Sequence, residues 1–351
     1  MKKIGKQMMK QGLVQVYTGN TAQINLSHIG LTLRATGQNL RTFVMGFIPH
    51  PFIATEDKAF SFFKDQVVVE RLQLEHVPSD DNLHSQDIDK SNIAIEHIQE
   101  IISSGAFDII ILEDINHIID LGIISVNSVT NLIEKKPANV ELVLTGRNAK
   151  NKIIEKADLV TEMVEHRKEG SSWKIDGSSQ EGCVGVITGN GKGKTTHCLG
   201  RAMFFAANGI RSSVLQFIKS PQPYGEVIAL KTFPNLEIKS MGKGFIFGPS
   251  NGSDIHIKAA KNAWAAAEKE VSSGKYRLIV LDEINIATNL GLLDPDLIKH
   301  LISVKPKNMH IILSGRNASQ EIQEIASSII EMKEIKHPFS KGIKARKGIE
   351  Y

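Results

Sequence analysis

The stretch ITGNGKGKTT, residues 187–196, places three glycines and two lysines between an apolar run and a helical pattern. The apolar run Val184–Ile187 predicts a buried strand, and Lys194–Asn208 repeats its apolar residues at helical spacing. Glycines in such a loop let backbone N–H groups and a helix N-terminus approach a phosphate closely. The spacing departs from G-x-x-x-x-G-K-[ST], because Gly189 falls one place late. A plain glycine-rich turn is the alternative, but the strand–loop–helix order favours a nucleotide phosphate site.

Two acidic residues end a later apolar run, IVLDEIN at 279–285. A strand that ends in Asp282 and Glu283 places two carboxylates at the sheet edge, near the Mg²⁺ of a bound nucleotide. Lys194 can reach the terminal phosphates, and Thr195 can offer its hydroxyl to Mg²⁺. Acidic residues at strand ends are usually only solvated. The phosphate loop in the same region nevertheless favours a metal site formed by Thr195, Asp282 and Glu283.

Three blocks of this region have counterparts earlier in the chain, in one register to within a residue, which indicates two tandem copies of one domain. The N-terminal copy spans 1–166 and the C-terminal copy spans 182–351. Residues 167–181 are rich in serine, glycine and charge, as a linker is. The matching blocks are LVQVYTGN at 13–20 with CVGVITGN at 183–190, ILEDIN at 111–116 with VLDEIN at 280–285, and LVLTGRNA at 142–149 with IILSGRNA at 311–318.

Short apolar runs alternate with helical patterns in each copy, which is typical of parallel sheets with helical crossovers. We therefore predict an α/β fold of two tandem P-loop NTPase-like (RecA-like) domains, each with a mostly parallel sheet flanked by helices. The further strands predicted in the C-terminal copy are Ser213–Ile218, Leu278–Leu281 and His310–Leu313, with a long helix at Asp254–Ser273. The strands predicted in the N-terminal copy are Leu13–Tyr17, Ile109–Leu112 and Leu142–Leu144.

The N-terminal copy has lost the phosphate loop. Its sequence there is TGNTAQIN, residues 18–25, so residues 21–24 replace the Gly191–Lys194 segment and remove both lysines. Its acidic pair persists in swapped order as Glu113 and Asp114. We predict that this degenerate copy is non-catalytic and does not bind a nucleoside triphosphate in the same way.

Composition limits the classes of function. The chain has 351 residues with 41% hydrophobic and 23% charged residues, which is a globular balance. The net charge of +4 is too small to indicate nucleic-acid binding. No apolar run approaches the ~20 residues that span a bilayer, and the basic start lacks the apolar core of a signal peptide. Cys183 and Cys198 alone form neither a disulfide framework nor a zinc site, so we expect a cytoplasmic protein.

The C-terminal copy resembles the P-loop corrinoid adenosyltransferases of the CobA/BtuR type, the ATP:cob(I)alamin adenosyltransferases, over nearly all of residues 182–351. The N-terminal copy resembles them only as a relic, from about residue 13 to 165. The segments that carry the resemblance are TGNGKGKTT at 188–196, QFIK at 216–219, Gly225 and Glu226, MGKGFIF at 241–247, VLDEI at 280–284, SGR at 314–316 and the tail KHPFSKGIKARKGIEY at 336–351.

The resemblance implies a reaction. ATP would lie on the phosphate loop with Mg²⁺, the Co(I) of a reduced corrinoid would attack its 5′ carbon, and triphosphate would leave. Lys194, Thr195 and Glu283 would be catalytic, and Phe245, Phe247 and Glu226 would contact the corrinoid, with Phe247 where the family has a Trp. The ATP-binding residues would be Gly189, Asn190, Gly191, Lys192, Gly193, Lys194, Thr195 and Thr196.

Two further residues are weaker candidates. Arg316 could touch phosphate or only cap the loop, and His337 before Pro338 is better explained as a turn residue than as a cobalt ligand. Family members are commonly homodimers, so the tandem chain resembles a fused pseudo-dimer that could still form homo-oligomers, supplied with electrons by a flavoprotein reductant. The alternatives are another P-loop enzyme, such as a small-molecule kinase or NTPase, and a non-catalytic corrinoid-binding protein.

Overall fold

The computed structural model describes residues 11–19, 25–72, 74, 84–168, 181–244 and 254–351. The chain divides into two compact units that do not coincide with the two repeats. Unit 1 comprises Met1–Asn20, Gln38–Thr161 and Ile335–Ala345, and unit 2 comprises Thr21–Gly37, Glu162–Glu334 and Arg346–Tyr351. Among the described residues, no helix has the length and apolar character that a membrane crossing requires. Most of the predicted linker, 169–180, lies outside the described residues.

The N-terminal repeat alternates strands and helices as the sequence predicts. Its first helix belongs to unit 2, and its last strand begins in unit 1 and continues in unit 2. The elements are β1 (Val14–Gly19), α1 (Ser27–Gly37), β2 (Thr42–Gly46), α2 (Ile53–Ser61), β3 (Val67–Arg71), α3 (Ser85–Ser103), β4 (Ile109–Glu113), α4 (Ile115–Asp120), α5 (Val126–Lys135), β5 (Glu141–Thr145), α6 (Asn151–Lys156) and β6 (Leu159–Lys168).

The C-terminal repeat gives the same alternation and ends in a short 3₁₀ helix, Pro338–Lys341. Its elements are β7 (Val184–Thr188), α7 (Lys194–Ala207), β8 (Ser212–Gln216), α8 (Gly225–Ala229), β9 (Leu236–Ser240), α9 (Asp254–Ser272), β10 (Leu278–Asp282), α10 (Ile284–Asn289), α11 (Pro295–Val304), β11 (His310–Ser314), α12 (Gln320–Glu324) and β12 (Ser328–Lys336).

The two repeats share one topology. The strand order is β3-β2-β4-β5-β1-β6 in the first repeat and β9-β8-β10-β11-β7-β12 in the second. The pairings of β1 with β5 and of β7 with β11 are parallel. These observations confirm the α/β class and the mostly parallel sheets. Strand ends differ from the prediction by a residue or two. β8, for example, spans Ser212–Gln216 and ends two residues before the predicted end at Ile218.

The local geometry repeats as well. The N–H of Asp114 donates to the hydroxyl of Thr145 (3.0 Å), and the N–H of Glu283 donates to the hydroxyl of Ser314 (3.1 Å). Both acidic residues adopt positive φ, 59° and 64°, directly after a buried strand. The strands β4 and β10 are buried along their whole length, as continuous apolar runs in parallel sheets with two covered faces are. The fold therefore presents the end of each central strand at a sharp turn.

Within unit 2, α1 of the first repeat crosses α7 of the second at two glycines. A Cβ added at Gly30 would lie 1.9 Å from the carbonyl oxygen of Thr196. A Cβ added at Gly200 would lie 2.2 Å from the carbonyl oxygen of Leu26. The Leu26 N–H also donates to the buried His197 side chain (3.4 Å). Only glycine lets the two backbones approach this closely, so this crossing fixes α1 on unit 2.

We expect Gly30→Ala to lower the free energy of unfolding by about 2 kcal/mol, because the added methyl group overpacks the crossing. Where no other segment packs against the glycine, a Gly→Ala change inside a helix would raise the free energy of unfolding by about 1 kcal/mol. Urea denaturation followed by circular dichroism measures the difference. Gly105→Ala is the reference for backbone strain alone, since φ there is +65° and an added Cβ meets nothing within 4 Å. A gain in stability at Gly30 would contradict the crossing.

Candidate active site

The phosphate loop lies against β12. The N–H of Gly191 donates to the carbonyl of Met332 (2.7 Å), and a Cβ at Gly189 would lie 2.4 Å from that same oxygen. Gly189 and Gly193 have φ of 94° and 106°, in the region that favours glycine. Gly193 precedes the first turn of α7. Backbone contacts and glycine conformations therefore fix the shape of the loop. The loop leads directly into the N-terminus of α7, a helix of 14 residues.

Lys194 begins α7 and is almost buried, with 8% of its surface exposed. Its ammonium donates to the carbonyl of Gly191 (2.7 Å) within the loop. Burial lowers the pKa of Lys194, while the charge of Glu283 opposes that shift. Thr196, two residues on, donates its hydroxyl to the Gly193 carbonyl (3.0 Å). The ammonium is thus held beside the loop amides, where a phosphate would sit.

Asp282 ends β10 with no exposed surface, and three uncharged donors hold its carboxylate. The hydroxyls of Thr195 (3.1 Å) and Ser314 (2.6 Å) donate to Oδ1. The side-chain amide of Gln216 donates to Oδ2 (3.1 Å). The structure therefore brings together the predicted pair Thr195 and Asp282. It adds Gln216 and Ser314, to which the sequence analysis gave no role.

Glu283 lies next to Asp282 and is partly buried, and its buried Oε2 has no hydrogen-bond partner among the described residues. Burial and the charge of Asp282 raise the pKa of Glu283, and the charge of Lys194 opposes them. A buried carboxylate oxygen without a donor is costly unless a cation meets it. Carboxylate and hydroxyl oxygens are the ligands that Mg²⁺ prefers. The oxygens of Thr195, Asp282 and Glu283 therefore fit a bound Mg²⁺.

The C-terminal tail reaches the phosphate loop. Lys192 forms an ion pair with Glu350 (2.9 Å), and Arg346 pairs with the same carboxylate (3.1 Å). On the other side of the loop, Arg316 donates to the carbonyl of Asn190 (3.2 Å). Arg316 thus caps the loop in this structure, and a phosphate contact by its guanidinium stays a prediction.

Glu226 lies at the start of α8 with no exposed surface, between two cations. Arg34 of α1 approaches Oε2 (2.9 Å), and Lys219 approaches Oε1 (2.6 Å). Burial opposes ionisation of Glu226, but these two cations outweigh it and lower its pKa to about 2. Both carboxylate oxygens are occupied, so contact between Glu226 and a corrinoid stays a prediction.

The remaining candidates lie elsewhere. His337 belongs to unit 1, and its Nδ1 accepts a hydrogen bond from the Phe339 N–H (3.0 Å), which is the geometry of a turn residue. Phe245 and Phe247 lie outside the described residues. The predicted corrinoid contacts of these two rings are therefore not placed by the structure.

In unit 1 the position of Asp282 is taken by Glu113, and cations surround it. Arg71 and His50 both contact Glu113 and the fully buried Glu56. Burial opposes protonation of His50, but the two glutamates raise its pKa to about 9. Gly46 is paired with Glu113 on the neighbouring strand, as Gln216 is paired with Asp282, and a Cβ at Gly46 would meet the Arg71 side chain at 2.3 Å. In unit 1 the side chains of Arg71 and His50 therefore balance the charge of Glu113. In unit 2 uncharged donors hold the corresponding Asp282.

These features define a P-loop α/β protein with an intact glycine-rich loop in its C-terminal repeat. The family model of the ATP:corrinoid adenosyltransferases BtuR/CobO/CobP matches residues 10–174 and again residues 180–351. The chain therefore belongs to the ATP:corrinoid adenosyltransferase family, in a two-copy form.

Relatives fall into two groups by coverage. An uncharacterized protein, all2391, of Nostoc sp. (strain PCC 7120) is 27% identical over 93% of this chain and 89% of its own length. Corrinoid adenosyltransferases of Pseudomonas aeruginosa (34% identical) and Sinorhizobium sp. (33%) align with 57% and 56% of this chain, and with 100% and 94% of their own lengths. A KaiC-like protein from Pyrococcus horikoshii OT3 aligns over 45% of this chain and 75% of its own, with a TM-score of 0.32 and 14% identity. The named adenosyltransferases thus have about three fifths of the length of this chain.

The buried Glu226 predicts a pH dependence of stability. Its folded-state pKa of about 2 lies below the ordinary value of 4.5. Its ionisation therefore stabilises the fold fully above pH ~4.5 and loses that effect as the pH falls toward 2. Between pH 7 and about pH 3.5, the wild-type protein should lose about 1.4 kcal/mol more stability than Glu226→Gln, one pKa unit of linkage.

Urea unfolding at several pH values measures this difference. Glu268→Gln, at an exposed position on α9, is the matched control and should follow the wild-type curve. Parallel curves for wild type and Glu226→Gln would show that the two cations do not stabilise the ionised carboxylate.

Proposed function

We propose that the C-terminal repeat transfers the 5′-deoxyadenosyl group of ATP to the Co(I) of a corrinoid and releases inorganic triphosphate. The observation that carries this proposal is the cluster of Lys194, Thr195, Asp282 and Glu283, which are buried or partly buried beside an intact phosphate loop. This set occurs in a chain of the ATP:corrinoid adenosyltransferase family. The relatives named corrinoid adenosyltransferase support the same substrates.

The reaction is a displacement at carbon. The electron pair of Co(I) forms a bond with C5′ of ATP, and the bond between C5′ and its phosphate oxygen breaks. That oxygen keeps the bonding electrons, so charge develops on the departing triphosphate. No further oxidant or proton donor is needed for the balance.

The residues of the loop act on this leaving group. The N–H groups of the loop and the Lys194 ammonium stabilise the developing negative charge because they are preorganised and shielded from water. Lys194 exchanges its bond with the Gly191 carbonyl for phosphate oxygens when ATP binds. Bound through Thr195, Asp282 and Glu283, Mg²⁺ would supply further charge neutralisation on the triphosphate.

The N-terminal repeat, 1–166, is proposed to be non-catalytic, and residues 182–351 to be the catalytic domain. Arg71 and His50 support this assignment, because they already balance the carboxylates of Glu56 and Glu113. The protein would work in the cytoplasm with a flavoprotein reductant that supplies Co(I). We propose that the tandem chain acts as a pseudo-dimer, and its further self-association would be tested by light scattering.

The alternative P-loop activities predict another product. A kinase or NTPase releases nucleoside diphosphate, whereas adenosyl transfer releases triphosphate and an adenosylated corrinoid. Incubation with Mg·ATP and chemically reduced cob(I)alamin, followed by anion-exchange chromatography, separates the two. Diphosphate as the stoichiometric product would contradict adenosyl transfer.

We expect one Mg·ATP to bind per chain, because only the C-terminal repeat has the loop glycines and Lys194. Isothermal titration calorimetry on the full chain measures the stoichiometry. Two equivalent sites would contradict the proposed asymmetry between the repeats.

Lys194→Ala should lower kcat for adenosyl transfer by about 100-fold or more, because it removes the charge next to the leaving group. The initial rate of adenosylcobalamin formation measures the loss. Lys261→Ala, on the exposed face of α9, is the control and should keep wild-type activity. Activity within about twofold of wild type for Lys194→Ala would exclude the assigned role.

A further inference from the structure

We propose that Ser240 and Gln216 are positioning residues for the Mg²⁺ site of the C-terminal repeat. Ser240 fixes the orientation of the Gln216 side-chain amide, and that amide fixes the Asp282 carboxylate without neutralising its charge. The inference rests on the Mg·ATP site of the proposed function, and it adds to that site a residue of β9, the last strand in the order of the sheet. All three residues belong to unit 2.

These residues belong to a row of polar side chains that crosses neighbouring parallel strands where each strand ends. Ser240 is the last residue of β9 and pairs in register with Gln216, the last residue of β8. Gln216 pairs in turn with Asp282, the last residue of β10. Ser314 ends β11 and donates to Asp282 from the other side (2.6 Å). The register of the sheet therefore sets the neighbours of the Asp282 carboxylate.

Hydrogen-bond chemistry determines which way the Gln216 amide points. An ionised carboxylate only accepts hydrogen bonds, so the amide presents its NH₂ group to Asp282, and Nε2 donates to Oδ2 (3.1 Å). The amide oxygen then faces Ser240, whose hydroxyl donates to it (2.6 Å). Gln216 has no exposed surface, so water does not replace either partner. The two side chains thus form a hydrogen-bonded chain, the Ser240–Gln216 relay, that ends on Asp282.

The relay holds Asp282 without cancelling its charge. Thr195 and Ser314 donate to Oδ1, and the Gln216 amide donates to Oδ2. Donors on both oxygens fix the plane of the carboxylate, and the relay supplies the donor on the Oδ2 side. Because all these donors are uncharged, Asp282 keeps the negative charge that Mg²⁺ would meet beside the Thr195 hydroxyl.

The N-terminal repeat has a cation in place of the relay. The last residues of its corresponding strands are Arg71 on β3, Gly46 on β2 and Glu113 on β4, paired in the same way. Gly46 has no side chain, and Arg71 passes over it to pair with Glu113, since a Cβ at Gly46 would lie 2.3 Å from Nη1 of Arg71. Both rows are compatible with the same fold. The uncharged relay occurs in the repeat that keeps the phosphate loop, which links it to the metal rather than to folding.

The first test measures how strongly Mg²⁺ favours ATP binding to the full chain. Calorimetry gives the dissociation constant of ATP in EDTA and in excess Mg²⁺, and the ratio of the two is the Mg²⁺ enhancement. Gln216→Leu removes the donor to Asp282 and should lower this ratio by about tenfold or more, the usual loss for a hydrogen bond to a charged group. Ser240→Ala should lower it by about threefold, and Ser240→Thr should restore it because threonine keeps the hydroxyl. ATP affinity in EDTA should stay within about twofold in all three variants.

A double variant shows whether Ser240 acts through Gln216. In the Gln216→Leu background, Ser240→Ala should leave the Mg²⁺ enhancement almost unchanged, because the amide that Ser240 orients is gone. Ser212→Ala is the matched control. It removes another hydroxyl of a buried serine at the opposite end of β8, where the hydroxyl donates to the Ile210 carbonyl (3.2 Å), and it should not alter the enhancement. Tm in EDTA reports separately on the stability of each variant.

Two results would overturn the inference: a wild-type Mg²⁺ enhancement in Gln216→Leu or Ser240→Ala, or a loss from Ser240→Ala that is just as large in the Gln216→Leu background. The wild-type protein reports separately on the proposed function. Wild type whose ATP binding is strengthened by Mg²⁺ but which forms no adenosylcobalamin contradicts the function and leaves the comparison of variants valid. Wild type that makes adenosylcobalamin while Gln216→Leu keeps the full Mg²⁺ enhancement contradicts only the relay.

Discussion

The close crossing of α1 and α7 is the constraint on which unit 2 depends. At Gly30 and Gly200 the two helix backbones touch without side chains between them. This contact holds α1 at a fixed height along α7, the helix that begins at Lys194. Because α1 also carries Arg34, the same crossing fixes where a guanidinium meets Glu226. A backbone contact between helices of different repeats thereby sets the positions of charged side chains in the C-terminal repeat.

The two repeats show two solutions to the same electrostatic problem. Each places a carboxylate at the end of a fully buried central strand, Asp282 or Glu113. In unit 2 neutral donors hold Asp282, and the neighbouring Glu283 has a buried oxygen with no donor among the described residues, where a positive charge would be favourable. In unit 1 Arg71 and His50 supply that positive charge from the protein itself. The carboxylates at the ends of the two central strands are therefore held in different ways, by neutral donors in unit 2 and by protein cations in unit 1.

Much of the fold could be predicted from the sequence, because strands such as Val184–Ile187 and Leu278–Leu281 are uninterrupted apolar runs between glycine-rich or polar turns. The motif also placed Lys194 and Thr195 with the acidic pair, since parallel strands end at one edge. Other parts depend on contacts between distant segments. In the sequence, Gln216 and Ser314 are ordinary polar residues at the ends of strands. Only the structure shows that both donate hydrogen bonds to the Asp282 carboxylate. Nothing in the local pattern around Arg34 indicates that α1 joins unit 2 or that its charge meets Glu226.

The degenerate phosphate loop and the intact helix after it have different physical roles. The sequence at residues 21–24 lacks the glycines and lysines of the Gly191–Lys194 segment, so the loop and the helix after it have diverged to different degrees from the C-terminal repeat. The helix α1 packs on α7, whose residues are nearly all buried. It also carries Arg34, whose charge balances the fully buried carboxylate of Glu226. Removing α1 would expose an apolar helix face and leave Glu226 with one cation, which costs stability however ATP is bound. The N-terminal repeat can therefore lack its own phosphate site while its first helix is still required by the repeat that has one.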